Sequence, residues 1–591
     1  MTASKASNIN RLWADLIVEE LIRCGVDFFC LAPGSRSTPL TTAVAAHPKA
    51  RHAMHYDERG TAFFALGYGR ATRRPAVWIT TSGTAVVNGL PAVVEAATDG
   101  VPMLLLTADR PPELRHTGAN QTIDQVNLFG GYPRWFFDLP APTPAIDPAV
   151  VLTTMDQAVY RAARAPQGPV HLNCMFREPL APTPDGHDYR AYTAGLASWQ
   201  DADQPYTAYD PTKRSPDPAS IERLWTTLRG IERGLLVAGK LDTPAQGAAV
   251  LRLAERLGWP LLSDVGSQIR LGQGAASNHL VGFYDLILGS PAFKEKHTPE
   301  AVLHFGGRPT SKRLLHYLAR HRPQPYVIVN GNPHRLDPHH QVSHRIEADV
   351  EGFCDALAHA ADSNSNTPSP WLTSWRDASS KAEAVIKSFS DGADVLSEPL
   401  VARLITQAIP GGHGLVLASS MPVRDVDMFA ALDGPAAPIA ANRGVSGIDG
   451  TIATAGGFSE GLNAPATLLI GDLALLHDLN SLALLRERPV TVVVLNNDGG
   501  GIFHFLPIAA HDDVFEPCFG TPHGLSFEAA ATFFGLAYHH PQTPQDLLDA
   551  YRAAFSRRSG TIIEVTTERR ANHALHQELL ARIGAQSERT S

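Results

Sequence analysis

Gly471-Asp472 and Asn496-Asn497-Asp498-Gly499-Gly500-Gly501 place an acid and an amide oxygen within glycine-rich backbone near the C-terminal end of the chain. Both are hard oxygen ligands of the kind that suits Mg2+, which keeps few protein ligands and takes the rest from phosphates and water. Spacing gives the pair meaning. Residues 466–470 read as a buried strand delivering Gly471-Asp472, and 491–495 as the next strand delivering Asn496-Asn497. Between them, 478–486 reads as a helix with Leu479, Leu482, Ala483 and Leu485 on one face, stopped by Pro489. A helix of about nine residues runs roughly 14 Å, near the roughly 17 Å of a five-residue strand. A right-handed crossover then sets Asp472 and Asn497 side by side over one sheet edge. A Gly-Asp turn alone is an ordinary strand end; the crossover spacing and the double asparagine favour a ligand set.

A second acid with chemical promise is Glu58, in YDERGTAFFALG (56–67), directly before an apolar helix. It reads either as a helix N-terminal acid stabilised by the dipole or as a carboxylate working beside apolar packing. Taken alone, the segment favours the first.

The elements that must hold these residues follow one grammar: apolar strand, polar turn, helix, strand. In the first third, Phe28–Leu31, 77–81 and 103–107 read as strands, with a helix from 85 to about 97. In the middle third the strands are 235–238, 261–264, 302–305 and Tyr326–Val329, and in the last 414–418, 466–470, 491–495 and 561–565. A Pro-rich stretch from 181 to about 218 reads as a linker, as does 362–370, which has no apolar side chain to build a core. The expected fold class is α/β: three domains with parallel sheets flanked by helices, over 1–190, 215–362 and 395–591.

Net charge is −9 without long runs of one sign, which argues against nucleic acid as the main partner. Cys24, Cys30, Cys174, Cys354 and Cys518 are scattered, with no CxxC, and read as reduced thiols of a cytoplasmic protein. No segment offers 18 uncharged apolar residues, so no membrane span is expected. No HExxH or Cys/His cluster points to zinc.

Several segments carry a resemblance over nearly the whole chain: APGSRSTPL (32–40), DERG (57–60), TSGTA (81–85), TADRPPE (107–113) and GANQTIDQ (118–125). Further on come SKRLL (311–315), NRGVSGIDG (442–450) and Ile502-Phe503. With the Gly471-Asp472…Asn496-Asn497 pattern, the chain resembles the thiamine-diphosphate enzymes, in particular a carboligase branch that couples two dicarboxylates. The resemblance implies thiamine diphosphate as cofactor. It also implies Mg2+ (or Mn2+) held by Asp472, Asn497 and the Gly499 carbonyl beside Gly471, and Glu58 hydrogen-bonded to the aminopyrimidine ring to favour its imino form. Leu473 departs from the Gly or Ala of many relatives and puts the turn geometry in doubt.

The resemblance further implies that 2-oxoglutarate is joined to isochorismate with loss of CO2. Two dicarboxylates call for cations, and Arg suits them through bidentate pairing. Ser35, Arg36, Arg110, Asn120, Gln121, Lys312, Arg313, Ser420, Arg424 and Arg443 are the implied substrate residues, with Gln121 and Ser420 as proton or hydrogen-bond partners. Ile448, Ile502 and Phe503 would form an apolar wall against cofactor or substrate. A homodimer or homotetramer is implied, with Glu58 of one copy meeting the cofactor held by another. The alternative is another thiamine-diphosphate decarboxylase or carboligase such as an acetohydroxyacid synthase, expected to carry FAD in its middle domain. A non-catalytic protein of the same fold is opposed by Glu58, Asp472 and Asn497 all being present.

Overall fold

Continuous apolar runs bounded by turn residues make buried parallel strands, and the chain builds three sheets from them. The structure, a computed structural model, describes residues 6–272, 277–361 and 368–588. The first sheet contains β1 (Phe28–Leu31), β2 (Arg51–Met54), β3 (Ala76–Thr80), β4 (Met103–Asp109), β5 (Trp135–Leu139) and β6 (Pro169–Met175), ordered β2-β1-β3-β4-β6-β5. The second contains β7 (Gly234–Ala238), β8 (Leu261–Ser263), β9 (Leu280–Val281), β10 (Ala301–Phe305), β11 (Tyr326–Val329) and β12 (His344–Ile346), ordered β12-β11-β10-β7-β8-β9. The third contains β13 (Gly414–Leu417), β14 (Ile439–Ala441), β15 (Ala466–Gly471), β16 (Val490–Asn496), β17 (Ala537–His539) and β18 (Thr561–Thr566), ordered β14-β13-β15-β16-β18-β17.

Every strand pair is parallel. Sheets one and three share one strand order, and the middle sheet has the doubly wound order of dinucleotide-binding folds. The middle order reverses once, between β7 and β10; sheets one and three reverse between β1 and β3 and between β13 and β15, and again at their β5 and β17 edges. Ligands of open α/β sheets bind beyond the strand C-termini at such a reversal. In the middle sheet the two loops at that point are tied together: Gly307 N–H donates to the Lys240 carbonyl at 2.8 Å.

The chain forms two compact units. One comprises 1–212, 442–464 and 477–488; the other comprises 213–441, 465–476 and 489–591. Within the first, the helix Glu58–Thr72 packs closely on the helix Thr451–Leu462. Glycines make the close approach: a Cβ on Gly67 would lie 2.1 Å from the Thr454 carbonyl oxygen, and one on Gly457 2.0 Å from that of Phe64. Asp478 accepts from the amides of Ile452 and Ala453 at 2.8 and 3.1 Å, capping the second helix where it has no side-chain cap of its own.

That use of Asp478 corrects the expected helix over 478–486. The α-helix instead begins at once, as Asp472–His477, and a 3-10 helix follows over Leu479–Leu485. The helix expected over 85–97 is also broken, into Thr84–Val87 and Leu90–Asp99, with Pro91 in the first turn of the new helix where it needs no N–H partner. In the expected linker 181–218, a short 3-10 turn Ala194–Leu196 leads into a helical turn Ala197–Gln200. Most of the second expected linker, 362–367, lies outside the described residues. All five cysteines are unbridged. Among the described residues no helix is long and apolar enough to cross a membrane.

Candidate active site

In the unit holding the third sheet, β15 and β16 are parallel neighbours with Gly471 opposite Leu495, so their C-terminal turns lie side by side. The Gly499 N–H donates to Asp472 Oδ2 at 2.8 Å and the Leu473 N–H to Oδ1 at 2.7 Å. Leu473 therefore leaves the turn intact. His523 Nε2 lies 3.2 Å from Asp472 Oδ2. Burial raises the Asp472 carboxyl above its ordinary pKa, a cost that a bound cation would reverse. Gly499 sits at φ +130 with no room for a side chain: a Cβ would fall 1.9 Å from the Gly520 carbonyl oxygen.

Asn497 is the sharpest test of whether these residues fit the implied metal. Its Nδ2 donates to Glu398 Oε1 at 2.8 Å, while its Oδ1 is buried and has no hydrogen-bond partner among the described residues. A buried amide oxygen left unpaired costs about 1–3 kcal/mol, and a divalent cation is the kind of partner that removes that cost. The donor set of carboxylate, amide oxygen and a glycine-turn carbonyl is all oxygen, as Mg2+ or Mn2+ prefers. The residues fit the implied metal.

Ser420 and Arg424 come from the turn after β13, across the strand-order reversal from β15. Ser420 is held at φ +75, unusual for a residue with a side chain. It opens the helix Met421–Phe429 without spending its hydroxyl on a cap, and the Arg424 guanidinium grips its carbonyl. Ile502 and Phe503, half-buried, lie on the 3-10 turn Gly501–Phe505 that follows Asn497. Lys312 and Arg313 begin the helix after β10; Lys312 is exposed, and Arg313 is paired with Asp285 against Met428.

The other unit gathers a second group along the C-terminal edge of the first sheet. Glu58 follows β2 as the first residue of its helix, with Asp57 capping the Arg59 and Gly60 amides. Asn88, at the unexpected helix break, donates to Glu58 Oε2 at 3.3 Å. Ser35 is exposed and Arg36 buried after β1; Arg36 Nη1 donates to the Phe176 carbonyl at 2.9 Å, and Nη2 lies 3.3 Å from Glu178. Arg110, buried after β4, donates to the Ser82 hydroxyl and, at 2.9 Å, to the Gln121 carbonyl. Burial, together with the Arg36 charge, lowers the Arg110 pKa. A bound anion would offset that loss at Arg110.

Asn120 and Gln121 are exposed on the next loop, Gln121 at φ +55 with its amide donating to the Ser82 carbonyl at 2.9 Å. Buried Gln125 fastens this loop by accepting from the Gly83 N–H at 2.9 Å. Arg443 and Ile448, both half-buried, lie on the loop between β14 and the helix Thr451–Leu462. Asn88, Gln125, Glu398 and His523 escape sequence reading, because each acts through a partner distant in the chain.

Residues 12–128 match the family described as the N-terminal TPP-binding domain of thiamine pyrophosphate enzymes, and 190–417 that described as the middle domain of thiamine pyrophosphate. The chain is 58% identical to a 2-succinyl-5-enolpyruvyl-6-hydroxy-3-cyclohexene-1-carboxylate synthase of Rubrobacter xylanophilus, covering 97% of this chain and 98% of that one. It is 53% identical to the enzyme of the same name from Salinibacter ruber, over 98% and 97%. A solved structure from Mycobacterium smegmatis, described as a thiamin diphosphate-dependent enzyme, superposes with a TM-score of 0.71 at 18% identity, covering 94% of this chain and 99% of that one, and so shares the fold. The chain belongs to the 2-succinyl-5-enolpyruvyl-6-hydroxy-3-cyclohexene-1-carboxylate synthase family of thiamine-diphosphate enzymes.

Proposed function

We propose that this chain joins 2-oxoglutarate to isochorismate with loss of CO2, yielding 2-succinyl-5-enolpyruvyl-6-hydroxy-3-cyclohexene-1-carboxylate for menaquinone biosynthesis in the cytoplasm. The observation that carries the reading is the full-length identity to enzymes of that name. Bound thiamine diphosphate supplies an electron sink for decarboxylating a 2-oxoacid. Asp472, Asn497 and the Gly499 carbonyl hold its Mg2+ or Mn2+, with Gly471 giving backbone room and Ile502, Phe503 and Ile448 an apolar wall. Glu58, with Oε2 accepting from Asn88, would hydrogen-bond the aminopyrimidine ring nitrogen of the cofactor and favour its imino form.

Arg36, Arg110, Arg424, Arg443, Lys312 and Arg313 pair with substrate carboxylates, and Ser35, Asn120, Gln121 and Ser420 orient them. The active form is a homodimer or homotetramer, with Glu58 of one copy completing the site of another. Exposed Met54, Tyr56, Val87 and Leu90 flank Glu58 and its partner Asn88 in sequence, and give such an interface apolar area.

The test is to mix 2-oxoglutarate and isochorismate with the protein, thiamine diphosphate and Mg2+, and to follow isochorismate absorbance. Consumption is expected. Pyruvate decarboxylation without isochorismate loss would shift the assignment to an acetohydroxyacid synthase type. The tie between Gly307 and Lys240 at the reversal of the middle sheet weighs against a flavin there.

A further inference from the structure

Behind Asn497 lies a buried carboxyl that the cofactor-site reading leaves without a role. Glu398 is 1% exposed and opens the helix Glu398–Ala408. Its Oε1 accepts from Asn497 Nδ2 at 2.8 Å and from the Thr567 hydroxyl at 3.2 Å. Its Oε2 has no partner among the described residues. The simplest account is a helix N-terminal acid, yet that account needs neither full burial nor an amide as partner.

The amide makes the difference. A side-chain amide has one accepting and one donating end, and a carboxylate can only accept. With Glu398 on one side, the NH2 end of Asn497 is drawn inward and Oδ1 must face the opposite way, where it stands buried and partnerless. Asp425 and His576 lie within electrostatic reach of Glu398 and are bonded to each other: Asp425 Oδ1 lies 2.8 Å from His576 Nε2, and His576 Nδ1 is 2.8 Å from the Asn572 carbonyl. Phe505, two residues beyond Phe503, packs edge-on against the His576 ring at 5.1 Å.

We infer that Glu398 is a positioning residue of the metal–diphosphate site, setting the Asn497 amide so that its oxygen, not its nitrogen, is offered to the cation. The inference rests on the reading of Asp472 and Asn497 as metal ligands. Groups behind a ligand usually matter about 10–100-fold in metal affinity. A glutamine at 398 keeps the shape but adds a donor, so that either orientation of Asn497 is satisfied.

The experiment is a Mn2+ titration of the full-length protein, freed of metal and saturated with thiamine diphosphate, read by the free-Mn2+ electron paramagnetic resonance signal. Glu398→Gln is expected to weaken Mn2+ about 10–100-fold and to add nothing further in an Asn497→Ala background. If Glu398→Gln unfolds, Glu398→Asp, which withdraws the carboxylate from Asn497, carries the same expectation. Mn2+ affinity unchanged in Glu398→Gln while Asn497→Ala loses it overturns the positioning role alone. So does a loss of equal size in both backgrounds. Affinity unchanged in Asn497→Ala overturns the metal-site reading and this inference with it.

Discussion

Glu95 accepts the backbone N–H groups of Gly444 and Val445, at 2.9 and 2.8 Å, the two amides that directly follow Arg443. Arg70 completes the grip: Nη2 donates to Glu95 at 2.6 Å and Nε to the Asn442 side chain at 3.2 Å, on the other side of Arg443. The loop is thus tied down at both ends of the residue proposed to meet substrate carboxylate. Glu95→Gln, which loses one of the two amide bonds, is expected to raise a substrate KM about tenfold, as for a lost charge-assisted hydrogen bond. The change should vanish in an Arg443→Ala background, since the effect acts through Arg443. Steady-state kinetics on both substrates checks it.

Glu58→Gln tests activation. The amide retains a hydrogen bond but not the charge that favours the imino form, so turnover should fall about 10²–10⁴-fold. Cofactor binding, followed by quenching of protein fluorescence, should remain close to that of the unaltered protein, because the metal ligands are untouched.

Metal removal is expected to abolish turnover, with Mg2+ or Mn2+ restoring it. Asp472→Asn should resist restoration, because the amide keeps the shape but carries no charge for the cation. Measuring rate against added metal after chelation decides it.

Packing of the two glycine-faced helices predicts a stability effect remote from any ligand. Gly457→Ala forces a methyl onto the Phe64 carbonyl and should cost about 1–3 kcal/mol. Calorimetry should show a lowered melting temperature, and Gly67→Ala should behave alike.

Glu20 gives the pH dependence. Burial and then Asp156 push its carboxyl from 4.5 up to about 8, while the Trp199 indole and the Tyr206 amide donate to it. Between those two values the folded chain keeps a proton that the unfolded chain has lost. Stability from this group therefore falls as pH rises from about 5 to about 8, and levels off above. Melting temperatures across that range should decline, and the decline should be shallower in Asp156→Asn, which removes the neighbouring charge.

The pattern of legible and illegible strands has a physical origin. Those read from the sequence are interior ones, such as β1, β10 and β15, buried along nearly their whole length and therefore largely apolar. The strands left unread include all six sheet edges, among them β2 with Arg51 and His52 and β12 with His344 and Arg345. β2 and β12 carry polar side chains toward solvent, and β9 and β14, though apolar, are only two and three residues long. The one interior strand missed is β6, where His171 and Asn173 are buried in a polar network with Thr107 and Gln125. Asp472 and Asn497 were legible because adjacent strands deliver them. Glu398 was not, since its bond to Asn497 spans 99 positions and leaves no local spacing to read.

The Glu58–Thr72 helix finds its glycine-faced partner only at Thr451–Leu462, roughly 390 residues later in the chain. A ribosome working at about 5–20 residues per second would emit the first helix tens of seconds before the second. Through that interval the surface around Phe64 and Gly67 waits uncovered, so the N-terminal sheet cannot finish folding as it leaves the ribosome. The order of synthesis and the order of assembly are uncoupled here, and nascent-chain chaperones would have their longest opportunity on this helix.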